Sequence, residues 1–109
     1  MKDNTVYLHH ISDAIIQIEK YIHQKPVEEF MEDRMLQDAV VRQPEIIGEA
    51  SRNLSDDFRK HNRSIPWSQI VGMRNRIAHD YLSVDMEIVW DIVTQDLPDL
   101  KLGIIKLLG

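Results

Sequence analysis

The 109-residue chain contains no cysteine, which excludes a disulfide scaffold, a thiolate metal site and a cysteine nucleophile. It has no long hydrophobic run either. The longest stretch free of charge, Ser64 to Met73, falls far short of the ~20 apolar residues that a membrane span needs. Internal repeats, Gly/Ser linkers and low-complexity segments are missing, so a single domain is expected over residues 1–109. A chain of this size buries roughly 65% of its unfolded surface and needs no staples. The start, Met1-Lys2-Asp3-Asn4, leads into a helical pattern rather than an apolar signal core. A soluble cytoplasmic protein with no membrane partner is therefore expected. Basic charge is also scarce: 13 Lys and Arg face 18 Asp and Glu, for a formal net charge of −5. Taken as a sum, this argues against nucleic acid as a partner, because phosphate binding draws on Lys and Arg. What remains, 43% hydrophobic and 28% charged residues, is ordinary for a globular protein.

Alternating strand patterns are absent too, and apolar residues recur at helical spacing almost everywhere. Leu8, Ile11, Ile15, Ile18 and Ile22 draw one stripe down a first helix, with Asp3 or Asn4 as its cap and Pro26 as its stop. After a short link, Val27 to Met31, a second pattern runs from about Asp33 to Leu54. Its apolar face comprises Leu36, Ala39, Val40, Ile47, Ala50 and Leu54. Pro44 lies inside it and predicts a kink or break, while Gly48 and Ala50 are small enough for another helix to approach closely. Ser55 to Ser64 reads as a helix end plus loop. A third helix, with Ser64 as cap and Pro66 near its first turn, is expected to reach about Tyr81. Ser83 or Asp85 opens a fourth, which carries Ile88, Ile92, Leu97, Leu100, Ile104 and Leu107 and should bend at Pro98. The fold class is all-α, an up-and-down bundle of four to five helices.

One segment carries a candidate chemistry: Met73-Arg74-Asn75-Arg76-Ile77-Ala78-His79-Asp80-Tyr81. In a continuous helix Ile70, Met73 and Ile77 face the core, and a polar arc of Tyr81, Arg74, Asn75 and His79 lies outside it. Relative to Arg74, His79 falls about 140° to one side and Tyr81 about 20° to the other. Histidine, with a free pKa of about 6.5, gives and takes protons near neutrality. Arginine offers a fork of donors that fits phosphate and stabilises charge building on phosphorus. Asn75, four residues before His79, has an amide that could orient the imidazole. These groups suit metal-independent RNA cleavage, in which a 2′-hydroxyl attacks the adjacent phosphate. That reaction needs a base and an acid, and the arc holds one histidine. A two-fold dimer brings two arcs together and supplies both. The plainer reading is a solvated helix face, with Arg76 and Asp80 as an i,i+4 pair.

Other candidates are weaker. His9 with His10, and Glu19 with His23, have helical metal-ligand spacing, but no HExxH or third ligand accompanies them. Glu28-Glu29 and Asp56-Asp57 look like linker and helix-start charges, and Trp67 and Trp90 like core or interface aromatics. No cofactor is implied, and no Gly-rich phosphate loop or serine nucleophile motif is present.

The segment from Arg74 to Tyr81 resembles the Arg-x4-His-x-Tyr motif of HEPN-domain proteins, in particular HepT-like toxins of bacterial and archaeal toxin–antitoxin pairs. The similarity covers nearly the whole chain. Ala39 to Gln43 with Glu45 to Ala50, Ile65-Pro66-Trp67, and Leu97-Pro98-Asp99-Leu100 resemble further blocks of the family, in the family's order. The resemblance implies a homodimeric ribonuclease toxin with a helical-bundle fold. Arg74 and His79 match its catalytic pair, and Asn75 the polar residue beside the arginine. Tyr81 matches the tyrosine that an MntA-like minimal nucleotidyltransferase antitoxin modifies with AMP from ATP. An adenylyl group there would put bulk and negative charge beside Arg74 and repel the RNA backbone. An alternative of a different class is a non-catalytic helical module that binds and regulates a nucleotidyltransferase.

The charge is unevenly distributed. Between Asp57 and Asp80 lie 22 residues without an acid, bearing Arg59, Lys60, Arg63, Arg74 and Arg76. That segment is +5 and the remaining 87 residues sum to −10. The distribution predicts an acidic body with a basic cleft that accepts RNA locally.

Overall fold

In a computed structural model of the chain, residues 3–80 and 83–109 are described, apart from the side chains of 78–80 and 83. Helix α1 (Asn4–Ile22) forms where the first stripe predicts it, with Leu8, Ile11, Ala14, Ile15 and Ile18 buried. Asp3 is its cap, accepting the Val6 N–H at 3.3 Å. Asn4 instead ties the helix start to Ser55, whose N–H donates to Asn4 Oδ1 at 2.9 Å. Farther along α1, the Glu19 carboxylate takes both contacts of Lys101 Nζ, at 2.9 and 3.0 Å.

The link between the first two long helices is itself helical. Helix α2 (Val27–Glu32) follows Pro26, and its Phe30 is fully buried. The Phe30 ring packs on Trp90 with centroids 5.1 Å apart. Helix α3 (Arg34–Arg52) starts at Asp33, whose carboxylate accepts the Leu36 N–H at 3.0 Å. It packs extensively on α1. No break occurs at Pro44, which lies buried within the unbroken helix. A proline there removes one hydrogen bond, and the packed face of a long helix keeps the rest in place.

Ser55–Ser64 also contains a helix, α4 (Asp56–His61), where a loop is expected. The Ser55 hydroxyl accepts the Phe58 N–H at 3.1 Å, with acids in the first turn and Arg59, Lys60 and His61 in the last. This arrangement complements the helix dipole. None of its residues is buried, so it leaves no apolar stripe in the sequence.

The third helix differs most from expectation. It divides at Gly72 into α5 (Trp67–Val71) and α6 (Met73–Ile77). Ser64 does not cap it; the preceding residue is Pro66, and the indole N–H of Trp67 fixes the entrance by donating to the Asn62 carbonyl at 3.0 Å. Beyond Ile77 the chain leaves the helix as β1 (Ala78–Asp80), which pairs antiparallel with β2 (Ser83–Val84). The cause is visible in the hydrogen bonding. The Ile77 carbonyl accepts the Asp85 N–H at 3.0 Å, a bond that takes the place of the next helical turn. The predicted continuation to Tyr81 is thus replaced by a short strand pair, and Tyr81 itself lies outside the described residues.

Asp85, not Ser83, opens the last helical region, accepting N–H groups from Glu87 and Ile88 at 3.1 and 3.2 Å. That region comprises α7 (Met86–Asp91), a π-helical stretch over Ile92–Asp96, and α8 (Leu97–Leu108). Where a bend is expected at Pro98, the helical region passes through this π stretch just before it. Pro98 cannot donate to the turn before it. Thr94 Oγ1 meanwhile donates to the Trp90 carbonyl at 2.7 Å.

The class is all-α with one small strand pair. Its core joins Ile11, Ile15, Val40, Ile47, Val89 and Ile104 with Ile70, Met73 and Ile77 from the motif helix. Among the described residues, no helix is long and apolar enough to cross a membrane.

Candidate functional site

Arg74 owes its position to two glycines. Gly48 of α3 lies against the end of α5, where a Cβ would meet the Ile70 carbonyl oxygen at 3.2 Å and that of Val71 at 3.5 Å. The absent side chain lets the two backbones approach, as the small residues of α3 predict. One step on, Gly72 ends α5, its N–H donating to the Ser68 carbonyl at 3.0 Å. The Gly72 carbonyl then accepts from Asn75 and Arg76 at 3.0 and 3.3 Å and starts α6. Met73 and Ile77 turn inward, leaving Arg74 and Asn75 exposed.

Arg74 stands in a shallow depression of about 280 Å³ between α6 and the polar face of α3. The far wall is formed by Arg42, Glu45, Glu49 and Arg52 of α3, with Gly48 and Val71 as the floor. Arg52 is held by Glu49 at 3.7 Å. Among the described residues, Arg74 pairs with no carboxylate. An exposed guanidinium in such a position offers its fork of donors to an incoming anion.

Sequence reasoning missed Arg42 and Arg52. Their signal is the spacing Arg42, Glu45, Glu49, Arg52, a polar stripe opposite the buried face of α3. Attention to the apolar stripe alone passes over it.

Arg76 behaves differently from Arg74. Its Nη1 lies 3.2 Å from Asp96 Oδ2, on the opposite side of α6. The basic segment is therefore divided between two faces, and Arg76 is committed to a structural pair. Asn75 is exposed next to Arg74. His79 lies on β1, five residues after Arg74 in the chain, and its side chain is outside the described residues. Because α6 ends at Ile77, the helical angles linking Arg74, Asn75 and His79 do not apply beyond that residue. The tyrosine expected to be modified, Tyr81, is also outside the described residues.

Two of the other histidines make local contacts. His10 meets the Tyr7 ring edge-on at 6.1 Å, and His61 Nδ1 lies 2.7 Å from the Asp57 carbonyl oxygen. Among the described residues, no group of three or more His, Asp or Glu could hold a metal ion.

Comparison with known proteins identifies the framework around this site. The sequence profile of a family described as "Ribonuclease HepT-like" matches residues 11–107. A Thermococcus cleftensis protein named "Probable ribonuclease HepT" is 41% identical over 95 residues, covering 87% of this chain and 86% of that protein. A Methanocaldococcus jannaschii protein named "Putative RNase MJ1380" is 35% identical over 100 residues, 92% of each chain. A second protein of that organism, named "Gamma-glutamylcyclotransferase and putative RNase MJ0434", is 41% identical over 107 residues. The match covers 98% of this chain but only 48% of that longer relative. No solved structure matches the chain. Family profile and full-length relatives agree: the chain belongs to the HepT-like ribonuclease family.

Proposed function

We propose that this protein is the toxin of a toxin–antitoxin pair, a metal-independent endoribonuclease that acts as a homodimer. The observation that carries the proposal is Arg74, exposed in a depression without a described carboxylate partner, within the Arg-x4-His motif of a HepT-like chain. In the reaction, a base removes the proton of an RNA 2′-hydroxyl, whose oxygen attacks the adjacent phosphorus. The bond from phosphorus to the 5′-oxygen breaks, and that oxygen takes a proton from an acid. The products are a 2′,3′-cyclic phosphate and a 5′-hydroxyl end. Arg74 is assigned to the charge that builds on the phosphoryl oxygens. One His79 serves as base and the His79 of a second copy as acid, with Asn75 in support.

A groove between α5–α6 and α8, about 1200 Å³ in volume, supports pairing with a second copy. Leu102 and Ile105 stand exposed along it, and Asp99 and Lys106 put both signs of charge on its rim. The groove also includes Met73, Arg76 and Asp96 and so lies across α6 from the Arg74 depression; a copy seated in it does not by itself bring two Arg74 sites together.

Control is assigned to an MntA-like nucleotidyltransferase. The Tyr81 oxygen attacks the α-phosphorus of ATP, pyrophosphate leaves, and the tyrosine carries AMP. Expression in cells should arrest growth, and His79→Ala should abolish the arrest. Incubation with the nucleotidyltransferase and ATP should add AMP to Tyr81, as read by mass spectrometry of peptides. Growth arrest that persists with His79→Ala would overturn the catalytic reading. AMP on another residue would overturn the assignment of Tyr81.

A further inference from the structure

A second depression, about 470 Å³ in volume, lies on the far side of Val71 from Arg74. It is formed by α4, the turn that follows it and the start of α5, and it includes Arg59, Lys60, Arg63 and Ser68. Val71 lines both depressions, so the two adjoin there. Together their walls present six bases against three acids. Two of the acids are already committed, Asp56 to Arg59 at 2.7 Å and Glu49 to Arg52 at 3.7 Å. Lys60 and Arg63 are exposed and pair with no carboxylate among the described residues. What remains is four bases, Arg42, Arg74, Lys60 and Arg63, against one acid, Glu45, and Arg74, Lys60 and Arg63 border the two depressions that meet at Val71.

The chemistry of this basic surface selects its ligand. Trp67 is the aromatic residue of the second depression, but it is buried, with its indole N–H bonded to the Asn62 carbonyl. No ring in the depression is free to stack on a base. The groups on offer are cations and the Ser68 hydroxyl, which suit phosphate oxygens rather than base edges. An extended polyanion fits two adjoining basic hollows better than a compact one does. We infer that Lys60 and Arg63 form a backbone subsite for single-stranded RNA, which holds phosphates flanking the cleaved bond at Arg74 and reads no sequence. The subsite rests on the RNA-cleaving reading above and adds to it the reach of the bound strand.

The test uses His79→Ala protein, which binds RNA without cutting it, and a labelled single strand of about twelve nucleotides. Removing two phosphate contacts with Lys60→Gln plus Arg63→Gln should reduce the slope of log affinity against log salt by about 1.4. It should weaken binding about tenfold at about 0.15 M salt. Lys20→Gln plus Arg34→Gln removes the same charge away from this surface and should leave the slope in place. Both side chains of the test pair are exposed, so the melting temperature reports whether the fold survives. An unchanged slope, or an equal change in the control pair, overturns the subsite. Loss of nucleotidyltransferase binding with RNA affinity intact also overturns it, by making the basic patch a protein-docking surface. The readout is binding, so failure of the wild type to cleave RNA would overturn the catalytic reading while leaving the subsite measurable.

Discussion

Replacing Arg74 with alanine is expected to reduce RNA cleavage by about 10²–10³-fold, the usual cost of removing one donor from developing charge. The fold should hardly register the change. Arg74 is exposed and makes no described ion pair, and such surface substitutions stay within about 0.5 kcal/mol. Arg74→Lys separates two contributions, because lysine keeps the charge but loses the planar fork. It should fall between wild type and alanine. Arg76→Ala provides the contrast: its partner Asp96 lies 3.2 Å away in an exposed pair, worth at most about 1 kcal/mol, and no role in cleavage is assigned to it. Turnover measured on the folded variants checks the set. Cleavage by Arg74→Ala within a few-fold of wild type would remove Arg74 from the chemistry.

The largest effect on stability is expected at Phe30. This side chain is fully buried and packs on Trp90 at 5.1 Å, so alanine leaves a cavity between α2 and α7. Losses of about 3–5 kcal/mol follow from such truncations. For a chain of this length that corresponds to a fall in melting temperature of more than about 10 °C. Phe30→Leu, which refills much of the space, should lose considerably less. Thermal unfolding followed by circular dichroism gives both values. A small shift for Phe30→Ala would mean that α2 is not part of the cooperative core.

The importance of Phe30 was not legible in the sequence, and the reason is physical. Its helix has only six residues, too few for a periodic stripe, and it is held by one aromatic and by capping from Gln37. The Gln37 amide donates to the Phe30 and Met31 carbonyls at 2.9 and 3.0 Å. Helix α4 escapes because a single half-buried side chain, Phe58, packs it against the core beside Trp67, too little for a stripe, and Ser55 and favourable end charges support it. The long helices were legible because burial is periodic: Ile11, Ile15 and Ile18 face inward as spacing demands. Pro44 shows that a packed helix overrides a local breaker, whereas a π stretch lies just before Pro98.

At the site, spacing foretold that Ile70, Met73 and Ile77 are buried and that Arg74 and Asn75 are outside. It did not foretell that the helix ends at Ile77. That end depends on a bond from Asp85, eight residues along the chain, and local periodicity carries no information about such a partner. The neighbours of Arg74 were hidden for a related reason. Arg42 and Arg52 reach it only because Gly48 brings α3 against α5. The charge asymmetry was visible as a sum over the acid-free segment, but its direction was not. Arg76 turns to Asp96, while Lys60 and Arg63 lie across Val71 from Arg74.

The central claim is that Arg74 and His79 cut RNA without a metal. Purified wild-type protein and His79→Ala, each checked for fold and dimer formation, should be incubated with RNA in the presence of a chelator and the fragment ends identified. Wild type should yield 2′,3′-cyclic phosphate and 5′-hydroxyl ends, and His79→Ala should leave the RNA intact. Intact RNA with folded, dimeric wild type, or equal cleavage by both proteins, would contradict it.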